Sequence, residues 1–213
     1  MKKLFLSFFI VASFCFNLRA DEGMWIPMLL QNNEQDMQEM GMNITAEDIY
    51  SINHSSMKDA VVLFDGGCTG EIVSNQGLLL TNHHCGFDWI QYHSTVEHDY
   101  LTHGFWAMSK EEELPCPGIS AVMLKSMEDV TERVLEGVTK ETSNDERAEI
   151  VTANIERIKE EAEANSDYQV VIKSFYHGNK YYMIYNEVFK DVRMVGAPPS
   201  NIGKFGGDTD NWM

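Results

Sequence analysis

Residues 68–85 read CTGEIVSNQGLLLTNHHC, a segment with a cysteine at each end, a turn signal in the middle and two adjacent histidines before the second cysteine. The run TGEIVS, the turn formers Asn75-Gln76-Gly77 and the apolar run LLLT spell strand, turn and strand. Working outward, AVVLF at 60–64 and Asp65-Gly66-Gly67 add one more strand and turn ahead of it, so the segment predicts a β-meander. Its last strand delivers Thr81, Asn82, His83, His84 and Cys85 to a strand end. An imidazole at the end of a rigid strand is held in one orientation and can accept a proton from a nucleophile.

The rest of the chain sets bounds on what such a hairpin can serve. At 213 residues and 44% hydrophobic content it predicts one domain, or one domain with a sizeable insertion, around a real core. A formal charge of −17 repels phosphate, which excludes nucleic acid or an anionic membrane as the main partner. The first residues, MKKLFLSFFIVASFCFNLRA, carry two lysines, an apolar stretch over 4–16, and Leu18 and Ala20 at positions suited to signal peptidase. This predicts a secretory signal cleaved after Ala20 and a secreted or periplasmic protein. The apolar run is shorter than the roughly 20 residues that span a bilayer, so no membrane anchor is expected. Cys15 would leave with the signal. Cys68, Cys85 and Cys116 then remain in a compartment where disulfides persist, and the arithmetic gives one pair and one leftover.

After the signal at 1–20, residues 21–125 are expected to hold a helix-and-loop segment, with Met37, Met40 and Ile44 at helical spacing, and then the strands with the histidine motif. Residues 126–167 are charged and predict a helical insertion. Within them Ser143 and Glu146 form a capping box, and Ala148, Val151, Ile155, Ile158 and Ala162 make a single stripe. Strands return over 168–213 with YQVVIKSFY, a turn at His177-Gly178-Asn179-Lys180, YYMIYNEVF and DVRMV, followed by a glycine- and proline-rich end. The predicted fold class is mainly β with helical additions.

With these residues in hand, a resemblance becomes specific. GLLLTNHHC resembles the histidine motif of chymotrypsin-fold serine peptidases, in which the cysteine after the catalytic histidine bonds back to the previous strand. The wider words GGCTGEIVSNQGLLLTNHHCG, GFWA, EELPCPG and DVRMVGAPPSNIGKFGGDTDNWM resemble the bacterial dipeptidyl peptidases of the dipeptidyl-peptidase 7 and 11 type, over almost the whole chain after the signal. The resemblance implies part of a chymotrypsin-like double β-barrel, here the first barrel, with an α-helical insertion. It implies a serine exopeptidase that removes dipeptides from peptides with a free N-terminus, with no cofactor, and a homodimer in the full-length form. By motif position His84 matches the catalytic base and His83 matches no catalytic position. A Cys68–Cys85 disulfide would clamp the hairpin beside the base. Asn211 and Trp212 match the residues that bind the substrate's N-terminal amine: an amide oxygen accepts from an ammonium, and an aromatic face adds a cation–π contribution.

The chain departs from the family pattern in two places. The triad aspartate of the family lies in a His-x-Gly-Asp type segment that would follow Met213, and neither Asp208 nor Asp210 matches it. The nucleophilic serine belongs in a glycine-rich turn, and Ser120 in PGISAV and Ser200 in PPSNIG have no glycine close on both sides. The expectation is an N-terminal fragment that does not hydrolyse peptides by a triad on its own.

Three other readings compete. His83, His84, Cys85, Asp88, His93, His98 and His103 supply zinc-type donors. Adjacent residues on a strand point to opposite faces, however, and no compact zinc spacing is present, so no metal is expected. Cys116, between two prolines, reads as an idle thiol rather than a nucleophile, and FGGDTDNW lacks the spacing of an EF-hand calcium loop. The remaining alternative is a non-catalytic, disulfide-stapled secreted binding module or degenerate remnant.

Overall fold

The computed structural model describes residues 25–203, so the expected signal at 1–20 and the pair Asn211 and Trp212 lie outside the described residues. No helix among the described residues is long and apolar enough to cross a membrane. The chain divides into two units, Met1–Ala46 and Glu47–Met213. In the first, a 3-10 turn at Pro27–Asn32 leads into α1 (Glu34–Glu39), and Glu34 Oε2 accepts from the Ala46 amide at 3.1 Å. Met37 lies on α1, but Met40 and Ile44 are exposed, so the helical spacing of these residues does not build a buried stripe.

From α2 (Ala46–Ile49) onward the second unit is mainly sheet with helices. In chain order it holds β1 (Val61–Phe64), β2 (Cys68–Ile72), β3 (Leu79–Thr81), α3 (His83–His93), α4 (Tyr100–His103), β4 (Phe105–Trp106), β5 (Leu114–Pro115) and β6 (Ala121–Asp129). Then follow α5 (Thr131–Val134), α6 (Asn144–Glu163), β7 (Gln169–Phe175), β8 (Lys180–Phe189), β9 (Arg193–Met194), β10 (Gly196–Ala197) and α7 (Ser200–Gly203). Six strands form one antiparallel sheet in the order β3-β2-β1-β6-β8-β7. The meander β1-β2-β3 turns at Asp65-Gly66, where both residues take positive φ, and again at Gly77, whose φ of 82° suits a residue without Cβ. Strand β6 binds the meander to the second half: Phe64 pairs with Ala121 on one side, and Ala121 pairs with Phe189 on the other. A register shift between Leu124 and Ser126 bends β6 just after it leaves β1.

Two apolar clusters hold this sheet. Under its β7–β8 half, Val130, Val134, Val151, Ile158, Val170, Tyr181 and Met183 are buried, with Ile155 and Ala162 packed against them. The stripe on α6 therefore faces the sheet over four of its five positions, and Ala148 is exposed because it lies too near the helix start to reach the cluster. Ser143 caps α6 reciprocally with Glu146, as the box pattern requires. The second cluster joins Phe64, Cys116 and Ile119 to Cys68, Leu79, Cys85, Trp89, Val192 and Met194. Each fully buried aliphatic side chain of this kind stabilises by about 1.5–3 kcal/mol. Strand β1 buries Val62 and Phe64 and exposes Val61 and Leu63, so the opposite sheet face stays apolar and open to solvent there.

Candidate active site

The second cluster carries the histidine motif. Strand β2 starts at Cys68 and runs antiparallel to β3, with Gly70 opposite Thr81, whose hydroxyl donates to the Thr69 carbonyl at 2.8 Å. Leu79 packs closely over Gly70: a Cβ there would stand 2.9 Å from Leu79 Cδ2. Asn82 is still extended, and the chain then turns at once into α3 with His83 and His84 as its first two residues. Cys85, the next residue, is joined to Cys68 by a disulfide, with Cα atoms 6.1 Å apart. The far end of α3 is pinned as well, where Nε2–H of His93 donates to the Pro115 carbonyl at 3.0 Å and the Ser94 hydroxyl donates to the Ile90 carbonyl at 2.7 Å.

The histidines therefore begin a helix rather than ending a strand, which corrects the expected geometry. The meander does end at Thr81, but burial of Cys85, Trp89 and Ile90 against the second cluster and its surroundings favours one helical face from His83 on. Neighbours on a helix are about 100° apart instead of opposed, and here they separate by environment. His84 is exposed, while both ring nitrogens of His83 are buried.

A ring nitrogen of His84 and the sulfurs of Cys68 and Cys85 all lie within 4.8 Å of one another. With two thiolates this trio would be a partial zinc site, but both sulfurs are spent in the disulfide and offer no thiolate. Asp88, His93, His98 and His103 do not join the trio. Cys116 is 4% exposed, and burial pushes its thiol up, partly offset by the Met194 backbone. It is a neutral packing residue of the second cluster. Ser200 heads α7 with its Oγ buried, unlike a nucleophile that must meet substrate, and Ser120 stands just before β6 with its carbonyl accepting from the Asp65 amide.

What remains is one exposed imidazole on the first turn of a helix, its neighbour tied by a disulfide to the strand beside it. Such a group can take a proton from a hydroxyl presented to it and return the proton to a leaving amine. Two close contacts near it have no signature in residue spacing: Leu79 over Gly70, and His83 against Gly203, where a Cβ would lie 2.2 Å from the ring.

Comparison with known proteins gives this arrangement its context. A family model described as Peptidase S46 matches residues 20–213. The Asp/Glu-specific dipeptidyl-peptidase of Flavobacterium psychrophilum is 52% identical over 99% of this chain and 29% of its own length. Dipeptidyl-peptidase 7 of Capnocytophaga gingivalis is 46% identical over 100% of this chain and 30% of its own. Among solved structures, Porphyromonas endodontalis DPP11 matches with a TM-score of 0.77 at 47% identity, over 90% of this chain and 28% of that one. The same protein in complex with the dipeptide Arg-Glu matches with a TM-score of 0.76. The chain thus spans less than a third of the length of the curated relatives it matches.

Proposed function

Because the chain belongs to the peptidase S46 family, we propose that the whole protein is a serine-type dipeptidyl aminopeptidase that releases dipeptides from the free N-terminus of oligopeptides. The observation that carries this reading is the exposed His84, set beside the Cys68–Cys85 disulfide at the start of α3, in a chain whose relatives along nearly its entire length are named dipeptidyl-peptidases. His84 acts first as general base on a serine outside this sequence, taking the hydroxyl proton as Oγ attacks the carbonyl. It then passes that proton to the departing amine. The disulfide keeps the helix start fixed relative to β2, so the imidazole pays little reorganisation as charge develops on it.

Asn211 and Trp212 hold the substrate's ammonium by amide acceptance and a cation–π contact, so the scissile bond is counted from the N-terminus. The six-stranded sheet belongs to the first barrel of a double barrel that also supplies the triad aspartate and serine. The protein is exported by the signal at 1–20, works outside the cytoplasm and forms a homodimer. Relatives named Asp/Glu-specific and relatives named dipeptidyl-peptidase 7 match at comparable identity, so substrates with acidic and with non-acidic second residues belong in the test.

The test uses the full-length protein with peptides that differ only in acetylation of the N-terminus and in the second residue. Dipeptide release from the free peptides and none from the acetylated ones is the expected result. Equal cleavage of both overturns the exopeptidase reading.

A further inference from the structure

The sheet that leads to the histidine motif has two faces, and only one of them is covered where β1, β2 and β3 lie. On the covered face Val62, Phe64 and Ala121 are buried, and Phe64 packs in one cluster with Cys85 and Trp89 of α3. The other face can be followed from the register. Leu63 stands opposite Thr69 on β2 and Val122 on β6, and Val122 stands opposite Val188 on β8. Two residues back along β1, Val61 stands opposite Glu71, and Glu71 stands opposite Leu80. The Val73 amide donates to the Leu78 carbonyl at 2.8 Å, which carries the same alternation further toward the turn. Val61, Leu63, Val73, Leu78 and Leu80 are each between 40% and 54% exposed, and Val122 and Val188 beside them are half-buried.

Five large apolar side chains on one face of three adjacent strands differ in kind from the scattered hydrophobics that any soluble surface carries. The face also reaches the sheet edge, because β3 is the outermost strand in the order β3-β2-β1-β6-β8-β7. An apolar face that runs out to a strand edge promotes self-association unless something covers it.

Two observations identify the cover. The first is length: curated relatives match this chain over 27–30% of their own sequence, and a solved relative has the same fold over 28% of its chain. The bulk of such a protein therefore lies outside this sequence. It has to meet this unit, since neither Ser120 nor Ser200 is placed as a nucleophile for His84. The second is charge: Glu71 is exposed between Val61 and Leu80, inside the apolar field. Covering it without a cation leaves an unpaired carboxylate in an apolar contact, which is costly. A second copy laid on the same face by a twofold axis brings another Glu71 toward the first, not a cation.

We propose that the face formed by Val61, Leu63, Glu71, Val73, Leu78 and Leu80 is the docking surface for the polypeptide that follows residue 213, which sets an apolar stripe on the five hydrophobic side chains and a Lys or Arg against Glu71. The inference rests on the reading above that this sequence is the first part of a longer serine peptidase. The hairpin tied to α3 by the Cys68–Cys85 disulfide is then held from both faces, by α3 on one and by the remaining polypeptide on the other. One contact thus sets the part that carries His84 against the part that supplies the serine.

The experiment uses the full-length protein without reductant and measures the rate of maleimide modification at Leu63→Cys, Leu80→Cys and a control, Val96→Cys, whose position is 97% exposed. Wild type sets the background, because Cys116 is buried and Cys68 and Cys85 are bonded to each other. The control should react at the rate of a free thiol, and the two face positions at least about 100-fold more slowly until the protein is unfolded. Face positions that react as fast as the control overturn the inference. Protection that disappears on dilution to the monomer also overturns it, since a second copy is then the cover. A benzophenone maleimide attached at Leu63→Cys should photo-cross-link to peptides beyond residue 213, and cross-links confined to residues 1–213 overturn the assignment of the occupant. Adding Glu71→Lys should speed modification at Leu63→Cys about tenfold or more, and an unchanged rate overturns the cationic contact. Should the cysteine variants fail to fold, hydroxyl-radical footprinting of wild type decides: Leu63 and Leu80 protected relative to Val96 support the docking face, and equal labelling overturns it. Peptide cleavage is assayed separately with free and acetylated N-termini, so protection without dipeptide release upholds the docking face and sinks the dipeptidyl reading alone.

Discussion

A ring nitrogen of His84 lies within 4.8 Å of the sulfurs that join Cys68 to Cys85, so the imidazole and the covalent clamp occupy one small volume. The clamp closes a loop between residues 17 apart, and that loop contains the whole β2–β3 hairpin. Cross-linking a loop of this length is worth about 3 kcal/mol when expressed through the unfolded chain. It also removes freedom where the helix start meets the strand.

Replacing both cysteines by alanine in the full-length protein should therefore lower the melting temperature and also lower turnover, because His84 loses the neighbour that fixes its turn of helix. Thermal unfolding and steady-state kinetics, run beside a sample treated with a thiol reductant, check this. Unchanged turnover in the double variant would show that the base keeps its place without the clamp.

Exchange of the two histidines tests the assignment of roles. His84→Ala should cost several orders of magnitude in kcat, since residues that act as one catalytic unit lose nearly everything together. His83→Ala should cost far less in kcat. The two variants differ in which ring faces solvent, so the reverse ranking would mean that the buried imidazole is the one that meets substrate.

Much of this fold is written in local patterns. The meander was readable because short apolar runs alternate with Asp65-Gly66-Gly67 and Asn75-Gln76-Gly77, and such turns need residues that tolerate positive φ. Helix α6 was readable from its capping box and from Val151, Ile155, Ile158 and Ala162. Strand β6 was not, although it is central. Its residues AVMLKSMED hold only one β-branched side chain, Val122, and are charged toward the end, which reads as helix, and only pairing with β1 and β8 makes them strand. The helical start at His83 was equally hidden. Histidine is a mediocre helix former and Gly86 a poor one, so tertiary burial of Cys85, Trp89 and Ile90 overrides the local preference. The choice of His84 over His83 came from motif position, and nothing in the residue spacing foretold the contact of His83 with Gly203.

The core under β7 and β8 should respond to truncation at Ile158, which is fully buried at 0% exposure on α6. Ile158→Ala removes buried methyl groups and leaves a cavity, for an expected loss of about 2–5 kcal/mol. Ala148→Gln on the exposed part of the same helix should stay within about 0.5 kcal/mol of wild type. Denaturant unfolding followed by proteolytic resistance of the β7–β8 region distinguishes the two. A mild Ile158→Ala effect would mean that α6 packs on the sheet less tightly than its buried stripe indicates.

The junction between β6 and α5 should be sensitive to acid. Asp129 ends β6; one carboxylate oxygen accepts from the Thr131 amide at 2.9 Å and the other from Lys180 Nζ at 2.9 Å. Partial burial pushes this carboxyl up, but the hydrogen bonds from Thr131 and Lys180 together outweigh it and leave Asp129 below its ordinary value. A carboxyl depressed in the folded state adds stability that is present above the unfolded value, near 4, and is lost as pH falls through the lower folded value. Both side chains are more than a third exposed, so solvent screening keeps the contribution of the pair small. Asp129→Asn should then lower the melting temperature slightly at pH 7, and the gap to wild type should close only as pH falls through the lowered folded value, where Asp129 itself becomes neutral. Thermal unfolding of both proteins across that range is the measurement. A gap that stays the same at low pH would show that Asp129 acts by shape, through the Thr131 amide, and that its charge toward Lys180 contributes nothing.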